Sequence, residues 1–458
     1  MQLLHVFTSL LATLPFAAAT PFSRRQTTVP LPANDPFYTP PAGYASTAPG
    51  TILRSRTITA AFFGLVPDPV SAWQLLYRTT AVNGSAIAEV TTVFKPANAM
   101  LDRFISYTTA YDSSDTACNP SYDYREGAMA TNNDESGAEF VVIEGYLVQG
   151  YIVASPDYEG PDAAFSAGPL EGMGTLDGMR AVKNFHATLG LTTSDPAIVG
   201  TGYSGGAIAS GWAAALQPTY APDLCMRGWA LGGTPANLTG TMLTIDNTTF
   251  SGFLFAAVDG LASPSAFGAT LKPVLDRIST AAGKAALAYS ATHCFEDDLD
   301  EYPDTSFLSY QFQTLGPKVL QQPAVKKVFD ANLLGVKKAD TPTAPTLVYH
   351  AAMDEIIPYA NASSLVQRWC AHGASVQFTT YPVGEHASTL VVAVPQVYAF
   401  VASAFAETLA TGCSANSIPV NSVNPNALGP ALVAVLTKLE TMLTTAGTPK
   451  QLRMRFRK

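Results

Sequence analysis

Residues 202–206 read Gly-Tyr-Ser-Gly-Gly, which fits the pattern Gly-x-Ser-x-Gly. An apolar, β-branched run (Ala197 to Gly200) precedes it, and a small-residue stretch (Ala207 to Leu216) follows. In that strand–turn–helix order the serine sits on a strained elbow that lifts its hydroxyl clear of the sheet. Side chains two residues to either side of Ser204 would collide, so Gly202 and Gly206 have a steric reason. Tyr203 fills the variable position. The chemistry this serves is nucleophilic attack on a carbonyl. A helix starting at Gly205 aims unpaired N–H groups and its positive end at the place where an oxyanion forms. The flanks favour that reading over a plain Gly-rich turn.

A serine hydroxyl is a poor nucleophile at neutral pH, so it needs a base, and the base needs an orienting carboxylate. Behind a Gly-x-Ser-x-Gly elbow both follow the serine, the acid before the histidine. Of six histidines, His5 lies in the N-terminal leader and His186 precedes the serine. His293 adjoins Cys294, and His372 reads as a helix C-terminus. His350 ends an apolar strand and reads as a packed structural residue. His386 follows the strand run Ser375 to Thr380 and the turn Pro382-Val-Gly-Glu. Asp354 lies in the loop after the Thr346-Leu-Val-Tyr strand, at the carboxyl end where catalytic groups of open α/β sheets collect. The predicted triad is Ser204, Asp354, His386. Loop position favours Asp354, while chain order alone leaves the adjacent Glu355 open. Glu385 reads as a solvated neighbour.

These groups need a scaffold. Strand-like runs occur at Ala72 to Thr79, Ala86 to Phe94, Arg103 to Ala110, Tyr151 to Ser155, Arg227 to Leu231 and Pro345 to Tyr349. Helical stretches at Glu139 to Val148, Thr175 to Phe185 and Gly205 to Leu216 fall between them. Alternation of this kind predicts parallel βαβ units covered on both faces. From Asn237 to about Asp330 the rhythm gives way to helical pieces (Pro264 to Ile278, Thr280 to Thr292) and an acidic cluster, Glu296-Asp297-Asp298. This is read as a helical insertion, with a second domain as the alternative. Leu390 to Ala406, interrupted by Pro395, Gln396 and Ser403, reads as a core helix and not a membrane span.

Of 458 residues, 47% are hydrophobic and 13% charged, the latter about half the usual ~25%. A disordered chain, a coiled coil and a charge-laced solenoid are excluded. The net charge is −9 although five basic residues crowd into positions 450–458, so the body is acidic and unsuited to nucleic acid. Residues 1–19 read as a signal peptide: Leu3 to Phe16 is largely apolar and Ala17-Ala18-Ala19 offers a cleavage site, though no Lys or Arg precedes it. Residues 20–30 are taken as a propeptide or linker containing the dibasic pair Arg24-Arg25. Asn83, Asn237, Asn247 and Asn361 head glycosylation sequons. The expected protein is secreted and extracellular, soluble, monomeric and without a transmembrane segment. Five cysteines are too few for a disulfide scaffold and, taken alone, leave their pairing open. No zinc-ligand spacing and no phosphate-binding Gly-rich loop occurs, so neither metal nor cofactor is expected.

Gly-Tyr-Ser204-Gly-Gly, Asp354-Glu-Ile-Ile-Pro-Tyr and Gly-Glu-His386, with Ser155-Pro-Asp-Tyr-Glu-Gly and Gly232-Gly-Thr-Pro, resemble the fungal secretory lipases from about Asp35 to Pro419. The resemblance implies an α/β-hydrolase fold with a mostly parallel central sheet. Its core would be residues 31–236 and 331–440, with a helical lid insertion at 237–330. It implies an oxyanion hole from the backbone N–H groups of Gly205 and Asp112, the latter otherwise only an Asp in a turn. It implies disulfides Cys118–Cys294 and Cys370–Cys413, leaving Cys225 as a buried free thiol. The activity implied is that of a serine ester hydrolase, a triacylglycerol lipase meeting lipid esters at a lipid–water interface. A carboxylesterase for small or secondary-metabolite esters is the alternative. The basic tail 441–458 departs from the family and reads as a frayed end.

Overall fold

Among the described residues, twelve strands follow one another along the chain: β1 (Ile52–Ile58), β2 (Ala61–Phe62), β3 (Val66–Pro67), β4 (Ser71–Thr80), β5 (Ala86–Lys95), β6 (Arg103–Thr108), β7 (Ile152–Pro156), β8 (Ala197–Tyr203), β9 (Met226–Gly232), β10 (Thr346–Ala351), β11 (Val376–Tyr381) and β12 (Ser414–Ser417). Ten of them form one sheet in the order β1-β4-β5-β7-β6-β8-β9-β10-β11-β12, and β2 and β3 pair separately. The computed structural model describes residues 29–129 and 134–419. The signal peptide at 1–19, most of 20–30, the end of the expected core at 420–440 and the tail 441–458 lie outside the described residues.

From β7 to β12 every pairing is parallel, whereas β1, β4, β5 and β7 pair antiparallel. Parallel strands covered on both faces read as unbroken apolar runs. Thr346-Leu-Val-Tyr-His-Ala351 is such a run, buried at all six positions. On one face lie α1 (Asp134–Val148) and a long helix reached later in the chain. On the other lie α2 (Gly168–Asn184) and α3 (Gly205–Tyr220). Helix α2 starts well before the predicted Thr175. Its first residues, Gly168 to Gly174, include three glycines, poor helix formers. Packing overrides that preference: a Cβ at Gly168 would strike the Trp212 indole, and one at Gly174 the Glu89 carboxylate.

Between β9 and β10 the chain leaves the sheet and forms six helices: α4 (Leu238–Ile245), α5 (Phe253–Leu261), α6 (Gly268–Ile278), α7 (Ala281–Ser290), α8 (Phe295–Glu301) and α9 (Pro323–Ala331). They enclose an apolar cluster of their own around Phe255, Phe307 and Phe312. Two helices complete the sheet's cover, α10 (Tyr359–Ala371) opposite α1 and α11 (His386–Phe405) beside it. Among the described residues α11 is the one helix long and apolar enough to cross a membrane, yet most of it is buried in the core. It starts four residues before the predicted Leu390 and runs through Pro395.

Cys118 pairs with Cys294 and Cys370 with Cys413. The first bond ties the loop after β6 to the start of α8, and the second ties α10 to edge strand β12. Cys225 is free but half-buried, not buried as expected.

The sequons separate by exposure. Asn83 and Asn247 are exposed. Asn361 is 6% exposed, and its Nδ2 donates to Asn237 O and Thr241 Oγ1, each at 3.1 Å. The nitrogen that would carry a glycan holds α10 against the start of α4, an argument against a glycan at Asn361. In a chain exported from a eukaryotic cell, peptide mass spectrometry should find glycan at Asn83 and Asn247 and none at Asn361. An occupied Asn361 in folded protein would contradict this packing.

Candidate active site

Ser204 stands between β8 and α3 with φ 52° and ψ −124°. For a residue with a Cβ this is strained by about 1–3 kcal/mol and has to be over-determined by its surroundings. They do so closely. A Cβ on Gly202 would meet Gly206 O and Thr108 Oγ1, and one on Gly206 would strike Thr108 O. Thr108 Oγ1 also donates to Gly206 O at 2.6 Å, and Ser204 N donates to Gly232 O at 3.0 Å. Both glycines are required sterically, as argued from sequence, but much of the obstruction comes from Thr108 on the neighbouring strand.

The hydroxyl of Ser204 lies 2.8 Å from His386 Nε2, and His386 Nδ1 lies 2.7 Å from Asp354 Oδ2. The strand register brings this about. Ala351 and Tyr381 are partners at the carboxyl ends of β10 and β11, and Ala352 N donates to Tyr381 O at 2.7 Å. The loops bearing Asp354 and His386 therefore leave the sheet side by side. Asp354 Oδ1 accepts the backbone N–H groups of Ile356 (3.0 Å) and Ile357 (2.7 Å), so its second oxygen is aimed by its own turn. His350 is buried beneath, its Nε2 2.9 Å from Ile357 O and 3.3 Å from Asp354 Oδ2. Burial pushes its imidazole below the ordinary value, although Asp354 and the Ile357 carbonyl oppose the shift, and the ring braces the turn.

Glu355, left open by chain order, takes a different partner. Its Oε2 accepts the backbone N–H of His386 at 2.8 Å. Tyr203 OH donates to the carbonyl of the same residue at 2.7 Å. Sequence reasoning considered Glu355 only as a rival to Asp354 and Tyr203 only as part of the elbow, and gave neither a role at the backbone of His386. The available signal was that each is the chain neighbour of a triad member. Glu385 is exposed and serves as N-cap of α11 in a capping box with Ser388, a more defined place than the solvated neighbour expected.

Burial would depress the His386 imidazolium, but Asp354, Glu355 and Glu135 outweigh it and hold its pKa above the ordinary histidine value. Asp354 is driven the other way: despite burial, the two histidines and the Ile357 N–H hold its carboxyl below the usual range. A base kept proton-hungry beside a stable carboxylate is what abstraction of a hydroxyl proton requires.

Asp112, in the loop after β6, has φ 41° and is buried. Its carboxyl packs against Gly205, where any Cβ would strike it. Burial, reinforced by Glu135, pushes it up to about 8. Asp112, Ser204 and Gly205 open onto one pocket. Its walls are almost wholly apolar. Leu238 and Met242 of α4 and Leu254 and Val258 of α5 supply the insertion side, and Ile208 and Ile357 the sheet side.

A family model described as "Secretory lipase" matches residues 128–412. The chain belongs to the secretory lipase family. Secreted triacylglycerol lipase LIP1 of Malassezia furfur is 39% identical over 404 residues, covering 86% of this chain and 80% of that one. Secreted triacylglycerol lipase LIP3 of Malassezia restricta is 38% identical over 405 residues, covering 88% and 85%. The crystal structure of Candida antarctica lipase A in its closed state superposes with a TM-score of 0.79 at 30% identity, over 92% of this chain and 99% of that one. This member of the secretory lipase family is thus an ester hydrolase with an α/β-hydrolase fold, as its sequence motifs implied.

Proposed function

We propose that this secretory lipase is an extracellular triacylglycerol lipase whose nucleophile, base and orienting acid are Ser204, His386 and Asp354. Ser204 Oγ attacks the ester carbonyl as His386 Nε2 takes its proton. Asp354 holds Nδ1–H and stabilises the imidazolium. The backbone N–H groups of Gly205 and Asp112 receive the oxyanion, and the neutral Asp112 carboxyl adds no charge against it. The intermediate collapses, and the diacylglycerol alcohol leaves with the proton from His386. Water, deprotonated by His386, then cleaves the acyl-serine and releases the fatty acid.

The observation that carries this reading is the relay of 2.8 and 2.7 Å contacts opening onto an apolar cavity walled by the helical insertion. A pocket with almost wholly apolar walls suits an acyl chain. The insertion hides in water the apolar surface that an oil phase would expose, and residues 237–330 are proposed as its lid. Extracellular action is supported by the names of the relatives and by the character of residues 1–19.

The test is hydrolysis of triacylglycerols of increasing acyl length, assayed below and above their solubility, with phosphonate-ester labelling to find the nucleophile. Turnover of emulsified long-chain triacylglycerol and a phosphonyl adduct on Ser204 are expected. Cleavage confined to short soluble esters would select the carboxylesterase alternative.

A further inference from the structure

His386 carries a contradiction in its position. It is the first residue of α11, a helix of 20 residues, and the end of a helix where N–H groups are unpaired behaves as a partial positive charge. A base that must become cationic there works against that field. Asp354 answers at the imidazole. The peptide N–H through which the helix end acts is covered separately, by Glu355 Oε2 at 2.8 Å, while Tyr203 OH fixes the carbonyl of the same residue at 2.7 Å. The backbone of His386 is thus clamped from both sides by the chain neighbours of the other two triad members.

We propose that Glu355 is a positioning residue for His386: its carboxylate both holds the histidine's peptide N–H and offsets the positive end of α11 where the imidazolium forms. This rests on the triad proposed above. Glutamine in its place would keep an acceptor for the N–H, so a carboxylate is needed only if charge matters. The other charged or titratable groups facing His386 are Asp354 and His350 beside Glu355, Glu135 of α1, Asp112 of the loop after β6, and the exposed N-cap Glu385. Glu135 is pushed up to about 7 by burial and titrates in the window of interest, so it requires its own control.

The experiment is kcat/KM and kcat against pH on p-nitrophenyl butyrate for wild type, Glu355→Gln, Tyr203→Phe and Ser204→Ala, with the first two repeated in a Glu135→Gln background. Removing a negative charge makes the imidazolium harder to form. Glu355→Gln should therefore move the acid limb to lower pH by about half to one unit and lower the plateau kcat by about three- to tenfold. Tyr203→Phe removes a contact but no charge, so its rate should fall with the limb unmoved. A Glu355→Gln profile superposable on wild type, or one lowered without a displaced limb, overturns the proposal. Should that variant not fold, Glu355→Asp, which withdraws the charge from the helix end, should displace the limb in the same direction by less; an unmoved limb there overturns it equally. Ser204→Ala keeps the two claims apart: if it retains turnover, the triad reading fails, whatever Glu355 does.

Discussion

Ser204→Ala is expected to lower kcat on triacylglycerol by about 10⁶, and Asp354→Asn by about 10⁴. The two differ because they remove different things. Without Oγ there is no acyl-enzyme, and only the oxyanion N–H groups and the pocket remain to help water. Asparagine at 354 leaves Ser204 and His386 in place. Its amide can still accept the N–H groups of Ile356 and Ile357, but it presents either an uncharged oxygen or an N–H to Nδ1, and the imidazolium loses its partner. The same comparison separates the two adjacent carboxylates. Glu355 hydrogen-bonds the backbone N–H of His386 and acts on the ring only through its charge, so Glu355→Gln should stay within about tenfold of wild type. Initial rates on emulsified and soluble esters check this, with circular dichroism to establish folding. Equal losses at 354 and 355 would mean that the carboxylate roles are misassigned.

That distinction marks where the sequence stopped being legible. The elbow could be read because its constraint is local: two glycines, a strand before and a helix after. Asp354 and His386 could be read because parallel strands deliver their following loops to one edge. Which of two neighbouring carboxylates faces the imidazole depends on the turn that Ile356 and Ile357 close on Asp354, and no residue pattern announces that. The sheet shows the same limit. Interior strands such as β10 declare themselves by unbroken burial, whereas β12 is Ser-Ala-Asn-Ser, exposed throughout, and exists only through backbone pairing with β11. Edge strand β1 sets Arg54, Ser55, Arg56 and Thr57 between Leu53 and Ile58, so no continuous apolar run marks it. The start of α2 was hidden because its glycines serve Trp212 and Glu89, which lie far away in the chain.

Stability should be greatest near pH 5 and fall as pH rises, with Tm lower by roughly 10 °C at pH 8. The reason is a population of carboxyl groups whose burial outweighs the stabilisation of their charged form. Burial pushes Asp259 up to about 6, Asp157, Asp298 and Glu135 to about 7, and Asp112 to about 8. Burial raises Glu89, Glu139, Glu159 and Glu171 well above the usual range, aided in each by neighbouring acids. A carboxyl whose folded pKa lies above its unfolded value near 4 binds more protons when folded. Its stabilising share is complete below pH 4 and is lost as pH rises through the folded value. Opposing groups act at lower pH. Asp35, Asp102, Asp223 and Asp354 are held below the usual range, so their share disappears on strong acidification. His350, held below the ordinary histidine value by burial, contributes a share that is present above about 6.5 and lost as pH falls through its lower folded value. The raised carboxyls outnumber these, and the five pushed up to between about 6 and 8 titrate across neutrality, so they set the slope between pH 5 and 8. Glu89→Gln isolates one of them. Glu89 lies on β5, Tyr77 OH donates to its Oε2 at 2.9 Å, and Gly174 packs against it, so glutamine keeps the shape and an acceptor. The variant should melt a few degrees above wild type at pH 8 and level with it at pH 5. Scanning calorimetry from pH 4 to 9 measures both, and a wild-type Tm that climbs towards pH 8 would mean these carboxyls are ionised and paired in the folded protein.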